Sequence, residues 1–410
     1  MAEVKSDYNV RAVSCDYRGS DDEVYAALKR ATDPLEKSWE RLRKAKRIAI
    51  KFNQDWEPEK VAYHQGHRQQ LVSDVVTRAT LRLLREKTTA SIFAVDVGVV
   101  GKPERPRSEM TTILPVLNEF GVPFIDGRED EMVWQKVPGG GSMFNEYPLP
   151  RSSVEADEMI SVQKLKNHAF MGITLCLKNL FGLMKIPPNG RTRAYYHHLV
   201  RMPYMLADLG RIYNPALNII DGLVCQAGEE WGAGEEPRIC NTLIAGDQVI
   251  ATDAVGAHLM GHDPQTDWGR EPFHRDRNSL LCAAERGFGT VNLDEINWLS
   301  EVTSPVGKFF SKITDSREMV HSWRKTTAEQ GLYYRDHKKE LVNQYAGEYI
   351  LLQMNEVKWH DVTGIFWLSR RMLSGEHPEQ AMWLKYVDPD EKEGEHFEVY
   401  EKTLQSMPSV

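Results

Sequence analysis

The chain has 410 residues, a formal net charge of −8, 41% apolar residues and 27% charged residues. Its ten Trp, fifteen Tyr and thirteen Phe supply ample surface to bury, which excludes disorder as the main state. The mild acidity argues against general nucleic-acid or anionic-membrane binding, and no apolar run approaches the roughly 20 residues that span a bilayer.

Apolar residues at helical spacing (Val24, Leu28, Ala31, Leu35, Trp39, Leu42) predict a helix over 21–46. Arg47 to Asn53 reads as a strand, 68–86 as a helix, Ser91 to Val97 as a buried strand, 109–119 as a helix and Val122 to Asp126 as a third strand. After Gly139-Gly140-Gly141 the rhythm resumes. Strands are expected at 158–162, 216–221 and 242–246, and helices at 171–185, 248–260 and 276–287. This alternation predicts an α/β fold, with largely parallel sheets flanked by helices in Rossmann-like halves at about 1–150 and 151–315. Beyond Thr303-Ser304-Pro305 the pattern changes to a small α+β unit over 316–410. It has an amphipathic helix at 323–342, strands at 348–353 and 356–358, a helix at 360–374 and a last strand at 381–387. Its tail (Glu391, Glu393, Glu395, Glu398, Glu401) reads as acidic and solvated.

Parallel sheets of this kind collect ligands at the carboxyl ends of their strands. The richest segment runs from Lys164 through Lys166, Asn167 and His168 to Thr174, Lys178, Asn179 and Gly182. His168 falls in the predicted loop. Lys178 is a cation on a helix whose stripe is apolar, a placement that suits anion binding, a base or a covalent anchor, or else a lysine reaching for solvent. Arg191, Arg193, His197 and His198 follow in a loop-rich stretch and suit a carboxylate or phosphate, or a metal. Asp221 ends a buried strand and leads into a glycine-rich acidic loop with Glu229. Asp253, early in an Ala/Val/Gly helix, reads either as a dipole partner or as a partner for Lys178. No G-x-G-x-x-G or G-x-S-x-G occurs, and Gly98 to Pro103 lacks phosphate-loop spacing. The start, Met1 to Asp7, lacks the apolar stretch of a secretory signal. The five cysteines (Cys15, Cys176, Cys225, Cys240, Cys282) are scattered without a C-x-x-C. Neither a disulfide framework nor an iron–sulfur cluster is expected, and the compartment reads as cytoplasmic.

Ile50-Lys51-Phe52-Asn53, Lys164-Leu165-Lys166-Asn167-His168, Thr174 with Lys178-Asn179-Leu180-Phe181-Gly182, Asp221-Gly222 and Asp253-Ala254 together resemble domain-of-unknown-function family 362. The five elements occur in order over about 20–290. Phe52 stands where the family commonly has Pro, and the ferredoxin-like cysteine modules of some members are missing. Residues 321–400 loosely resemble family 5678, also of unknown function. The ten-residue spacing of His168 and Lys178 across a strand–loop–helix junction is remotely similar to the lactate racemase family. That resemblance implies a lysine carrying a nickel-pincer nucleotide and histidines that bind nickel or move protons. The glycine-rich stretch between those two positions is missing here.

Three readings follow. In the first, the chain is an enzyme acting on a small anionic substrate by acid/base or redox chemistry. His168, Lys178, Asp253 and Asp221 are then catalytic, and Lys51, Asn53, Lys164, Lys166, Thr174, Asn179 and Arg193 hold the anion. In the second, the same pocket binds an anionic ligand without turnover, and 316–410 docks a protein partner or a second copy. In the third, His168, His197, His198 and Glu229 hold a divalent metal.

Overall fold

The computed structural model describes residues 7–54, 56–98, 107–187, 190–228, 236–364 and 383–407. In chain order the elements are β1 (Asn9–Ser14), α1 (Asp21–Thr32), α2 (Glu36–Lys44), β2 (Arg47–Phe52), β3 (Tyr63–His64), β4 (His67–Arg68), α3 (Asp74–Lys87), β5 (Ser91–Asp96), α4 (Arg107–Met110), α5 (Leu114–Glu119) and β6 (Phe124–Asp126). There follow β7 (Met132–Lys136), β8 (Glu146–Pro150), α6 (Arg151–Val154), β9 (Glu158–His168), β10 (Gly172–Thr174), α7 (Cys176–Asn179), α8 (Arg193–Tyr196), α9 (Arg201–Tyr213), β11 (Leu217–Ala227), β12 (Glu236–Gly246), α10 (Val249–Leu259), α11 (Ser279–Ala284) and β13 (Asn297–Ser300). The last are α12 (Arg317–Asp336), α13 (Lys338–Tyr345), β14 (Tyr349–Gln353), β15 (Glu356–Asp361), β16 (Trp383–Tyr386) and α14 (Glu398–Ser406).

One nine-stranded sheet has the order β13-β1-β12-β11-β9-β2-β5-β6, with β10 paired to β9 outside that path. From β11 to β6 every pairing is parallel; β12 runs antiparallel to both β11 and β1. The fold is therefore α/β. The two expected halves contribute to one sheet: β9 from the later segment registers directly with β2 from the earlier one, and β12 with β1. The sheet is buried on both faces. One core carries Leu28, Trp39, Val76 and Ile160 against α1, α2 and α3, and the other carries Leu165, Leu177, Leu206 and Ala254 against α7, α9 and α10.

Local chemistry fixes the boundaries. Ser20 and Glu23 cap α1 reciprocally. The expected helix over 21–46 is two helices, because Pro34 in the middle cannot donate to the helical ladder. Helix α10 is buried almost all round, as its Ala/Val/Gly composition requires. Strand β1 pairs through alternating buried residues in a stretch too short to show periodicity.

The small sheet β15-β14-β16 is antiparallel. Its Ile350, Leu352 and Trp383 share a core with Tyr195 and Phe144 of the main body. The tail is not simply solvated: Glu393 and Glu395 are buried. Glu393 accepts hydrogen bonds from Arg191 (3.0 Å), Tyr195 Oη and Tyr196 Oη (2.8 Å each). Glu395 accepts from Arg201, Lys385 (2.8 Å) and Tyr400 Oη (2.6 Å). The helix expected at 360–374 begins as the end of β15, and its 365–374 portion lies outside the described residues.

Candidate functional site

Strands β2, β5, β9 and β11 are parallel, so their carboxyl ends share one edge of the sheet. Two buried ion pairs sit there, each joining neighbouring strands. Lys51 Nζ donates to Asp96 Oδ2 (2.9 Å) and to the Phe52 carbonyl (2.7 Å), and the Gln54 amide and Gly98 N–H also bond Asp96. Lys164 Nζ donates to Asp221 Oδ2 (2.7 Å), and Asp221 accepts the N–H groups of Ser73 (2.8 Å) and Leu223 (3.1 Å). Burial pushes the Asp221 carboxyl up, but the Lys164 ammonium and these bonds outweigh it, so it titrates below the ordinary carboxylate range.

The two pairs face opposite ways. Lys51 registers with Ser161, whose hydroxyl bonds the Cys176 carbonyl on α7. Lys164, three residues further along β9, reaches Ser73 at the start of α3. Strand alternation makes this inevitable. The expectation that Lys51 and Lys164 converge on one anion is thereby corrected: they lie on different faces, each neutralised by a carboxylate. Asn53 at the end of β2 donates its N–H to Val162, accepts Val72 N–H, and holds its side-chain oxygen buried without a hydrogen-bond partner.

Past the sheet, β9 continues to His168, turns, and returns as β10. Gly172 makes this turn possible, with φ +75° and a position where a Cβ would lie 2.7 Å from the Pro272 carbonyl. Lys166 pairs with Thr174 and His168 with Gly172, so Lys166, His168 and Thr174 share one face of the hairpin. His168 is therefore a strand residue and not a loop residue. Its Nδ1 accepts two backbone N–H bonds, from Phe170 (2.9 Å) and Met171 (3.1 Å). A nitrogen receiving two donors carries no proton, so the neutral ring holds its hydrogen on Nε2. The ring lies 6.0 Å from that of His197, which packs at 4.7 Å on Phe170 and 5.7 Å on Phe181. Phe181 follows the half-buried Lys178 by one turn. Asn167 braces the hairpin from behind, donating to Gly172 O (3.0 Å) and His262 Nε2 (3.1 Å). Burial lowers the His262 pKa and keeps that ring neutral.

The helix expected over 171–185 is β10, the single turn α7 and a tighter turn at Leu180–Leu183. Asp253 Oδ1 accepts the N–H of Cys176 (2.9 Å) and Oδ2 that of Leu177 (2.7 Å). Both are orphan donors at the start of α7. Burial pushes this carboxyl up to about 8, against the pull of the backbone bonds. Both Asp253 oxygens thus cap α7, which corrects the reading of this residue as one that orients Lys178. The Asn179 amide is likewise structural, bonding Lys51 O (2.8 Å), Ser161 Oγ (3.0 Å) and Val162 O (3.2 Å). Gly182 leaves room for the Lys51–Asp96 pair, since a Cβ there would sit 2.5 Å from Lys51 Cε.

Arg193 begins α8, with its side chain outside the described residues, as is Glu229 altogether. His198 is buried and donates Nδ1–H to the Leu199 carbonyl (3.1 Å). Among the described residues no three His, Cys, Asp or Glu side chains gather around one metal position. The His168 nitrogens also offer no free lone pair in this tautomer. The described residues do not by themselves assemble a metal site, and Glu229, one of the expected ligands, lies outside them. Asp96 was missed by sequence reasoning, although the signal that found Asp221, an acid ending an apolar strand, applies to it equally. Asp208 was missed too: it accepts Ser142 N–H (2.5 Å), Met143 N–H (2.8 Å) and Tyr147 Oη (2.7 Å), a mid-helix position with no pattern of its own.

These features define a doubly flanked α/β protein with paired Lys–Asp strand ends and a histidine-tipped hairpin. The chain belongs to the family described as domain of unknown function DUF362, which matches residues 48–258 and so takes in every one of those groups. The thylakoid-associated protein sll1697 of Synechocystis sp. is 26% identical over 248 residues, covering 59% of this chain and 72% of that one. The lactate racemase apoprotein of Thermoanaerobacterium thermosaccharolyticum aligns with a TM-score of 0.29 and 14% identity, covering 58% of this chain and 55% of that one. The chain thus spans about half of that racemase, and at this score no residue role carries over.

Proposed function

We propose that this chain is an enzyme acting on a small carboxylate- or phosphate-bearing substrate by proton transfer, with His168 as the proton donor. The observation that carries the reading is the pair of backbone N–H bonds to His168 Nδ1. They fix the hydrogen of the neutral ring on Nε2, in a hairpin that extends from the edge where sheets of this class bind ligands. Lys166 and Thr174, on the same face of the hairpin, supply positive charge and a hydroxyl for the anion. The Lys178 amine, one turn from the ring packed on His197, is the base that takes the proton from the carbon beside the carboxylate and returns it. Donation from Nε2 leaves an anionic ring unless a proton returns. A relay through His197, 6.0 Å away between ring centres, spans that gap with one water. No described helix is long and apolar enough to cross a membrane, and the proposed setting is the cytoplasm.

The test is deuterium exchange. Small hydroxy and keto acids and their phosphate esters are incubated with the chain in D2O and followed by proton NMR. The reading predicts exchange at the carbon beside the carboxylate for one class. His168→Gln removes the exchange, and Lys178→Met removes it while substrate affinity persists. If Lys178→Met and His168→Gln lose affinity and exchange in equal measure, the chain is a binder instead. No exchange and no binding with any member refutes both.

A further inference from the structure

A cavity of about 530 Å³ lies away from the strand ends, between α9 and α11 on one side and α12 and α14 on the other. We propose that it is a second binding site, for a small molecule bearing an oxyanion such as a phosphoryl group. Its volume is in the range of small-ligand sites.

The wall carries five cations (Arg277, Arg286, Arg317, Arg324 and Lys402) against three carboxylates (Asp267, Glu285 and Glu398). Arg277 is answered by Asp267 and Glu285. Arg286, Arg317 and Lys402 line the same cavity and, among the described residues, have no carboxylate within 4.0 Å; Arg286 bonds the neutral carbonyl of Gly141 (2.6 Å). Glu398, also on the wall, bonds His396 (2.7 Å) and feels the charge of Lys402 beyond ion-pair distance.

An independent observation points the same way. Ser142, Trp268 and Arg324 line the cavity, and each carries a buried polar atom (Ser142 Oγ, Trp268 Nε1, Arg324 Nε) without a hydrogen-bond partner among the described residues. Ser142 and Arg324 are themselves 6% and 2% exposed. Arg324 pairs through Nη1 with Asp276 and lies 4.6 Å over the Trp268 ring, which leaves its Nε unmatched. All three are donors. Buried donors without acceptors are costly, and they are satisfied together by a ligand made of acceptor oxygens. Cations in excess of carboxylates, with donors that lack acceptors, describe the complement of an oxyanion.

The full chain is titrated calorimetrically with pyrophosphate, and separately with citrate. The inference predicts saturable one-site binding of pyrophosphate. The exposed double variant Arg317→Ala/Lys402→Ala weakens it about tenfold, equivalent to about 1.4 kcal/mol. Trp268→Phe, which keeps the ring and removes the N–H, also weakens it without moving the melting temperature. Lys178→Met leaves it unchanged, which separates this site from the one at His168. Citrate binding with the same variant pattern extends the ligand class to carboxylates. Absence of saturable binding by either probe overturns the inference, as does an affinity that the double variant leaves intact.

Discussion

Lys164 has no solvent exposure and one carboxylate partner, Asp221. Taking either away strands a charge in the interior, which costs about 3–5 kcal/mol. Lys164→Met is therefore expected to lower stability by that amount in urea unfolding, and Lys164→Met/Asp221→Leu to recover most of it. Such a pattern identifies the pair as a fixture of the fold; equal loss in single and double variants would assign a further role to one partner. Asp253 behaves differently, because its folded pKa is raised to about 8. The unfolded carboxyl ionises at about 3.9, so the folded state holds the extra proton in between. Its contribution is present at low pH and is lost as pH rises towards 8. The melting temperature of the wild type is expected to fall from pH 5 to pH 8 more steeply than that of Asp253→Asn, and parallel curves would contradict the assignment. Much of this was legible in the sequence as residue type and position: Lys51, Lys164, Asp221 and Asp253 stand out as charges in apolar runs. What they pair with was not legible, since the partners are 45 to 77 residues away along the chain.

The β9–β10 hairpin and α7 show where periodicity misleads. Ile173, Leu177 and Leu180 have helical spacing, yet Thr174 and Ile173 register on β9 as a strand. Gly172 sets this, because its positive φ reverses the chain before the helix begins. Gly172→Ala is strained in backbone and also meets Pro272, so the expected loss is above about 1 kcal/mol, together with loss of the Phe170 and Met171 bonds to His168. A fall in stability with unchanged His168 NMR signals would separate the turn from the site. The parallel strands, by contrast, read directly from short apolar runs closed by polar residues. Their extension past 162 and 221 did not: beyond 162 the added residues are mostly polar yet buried, and beyond 221 the apolar run resumes only after the charged Asp221 and Gly222.

Across the whole molecule, the main sheet and the C-terminal elements share one apolar core and a network of buried charges around Glu393 and Glu395. Glu395 is pushed up by burial and pulled down further by Arg201 and Lys385, to about 2. Its stabilising share is present above the unfolded pKa and is lost as pH falls towards 2. A single unfolding transition is expected for the full chain, and Glu395→Ala, which leaves Arg201 and Lys385 unpaired, should lower its midpoint by several degrees. Two well-separated transitions would show that 316–410 is energetically independent. The change of style near 315 was visible in the sequence, but an acidic tail reads as solvated until the buried arginines that face it are placed. The proposed activity depends on the proton of His168, and nitrogen-15 NMR of histidine-labelled chain at pH 7, assigned with His168→Gln, reads that proton directly. The predicted result is an unprotonated Nδ1 and a protonated Nε2; a proton on Nδ1 would contradict it.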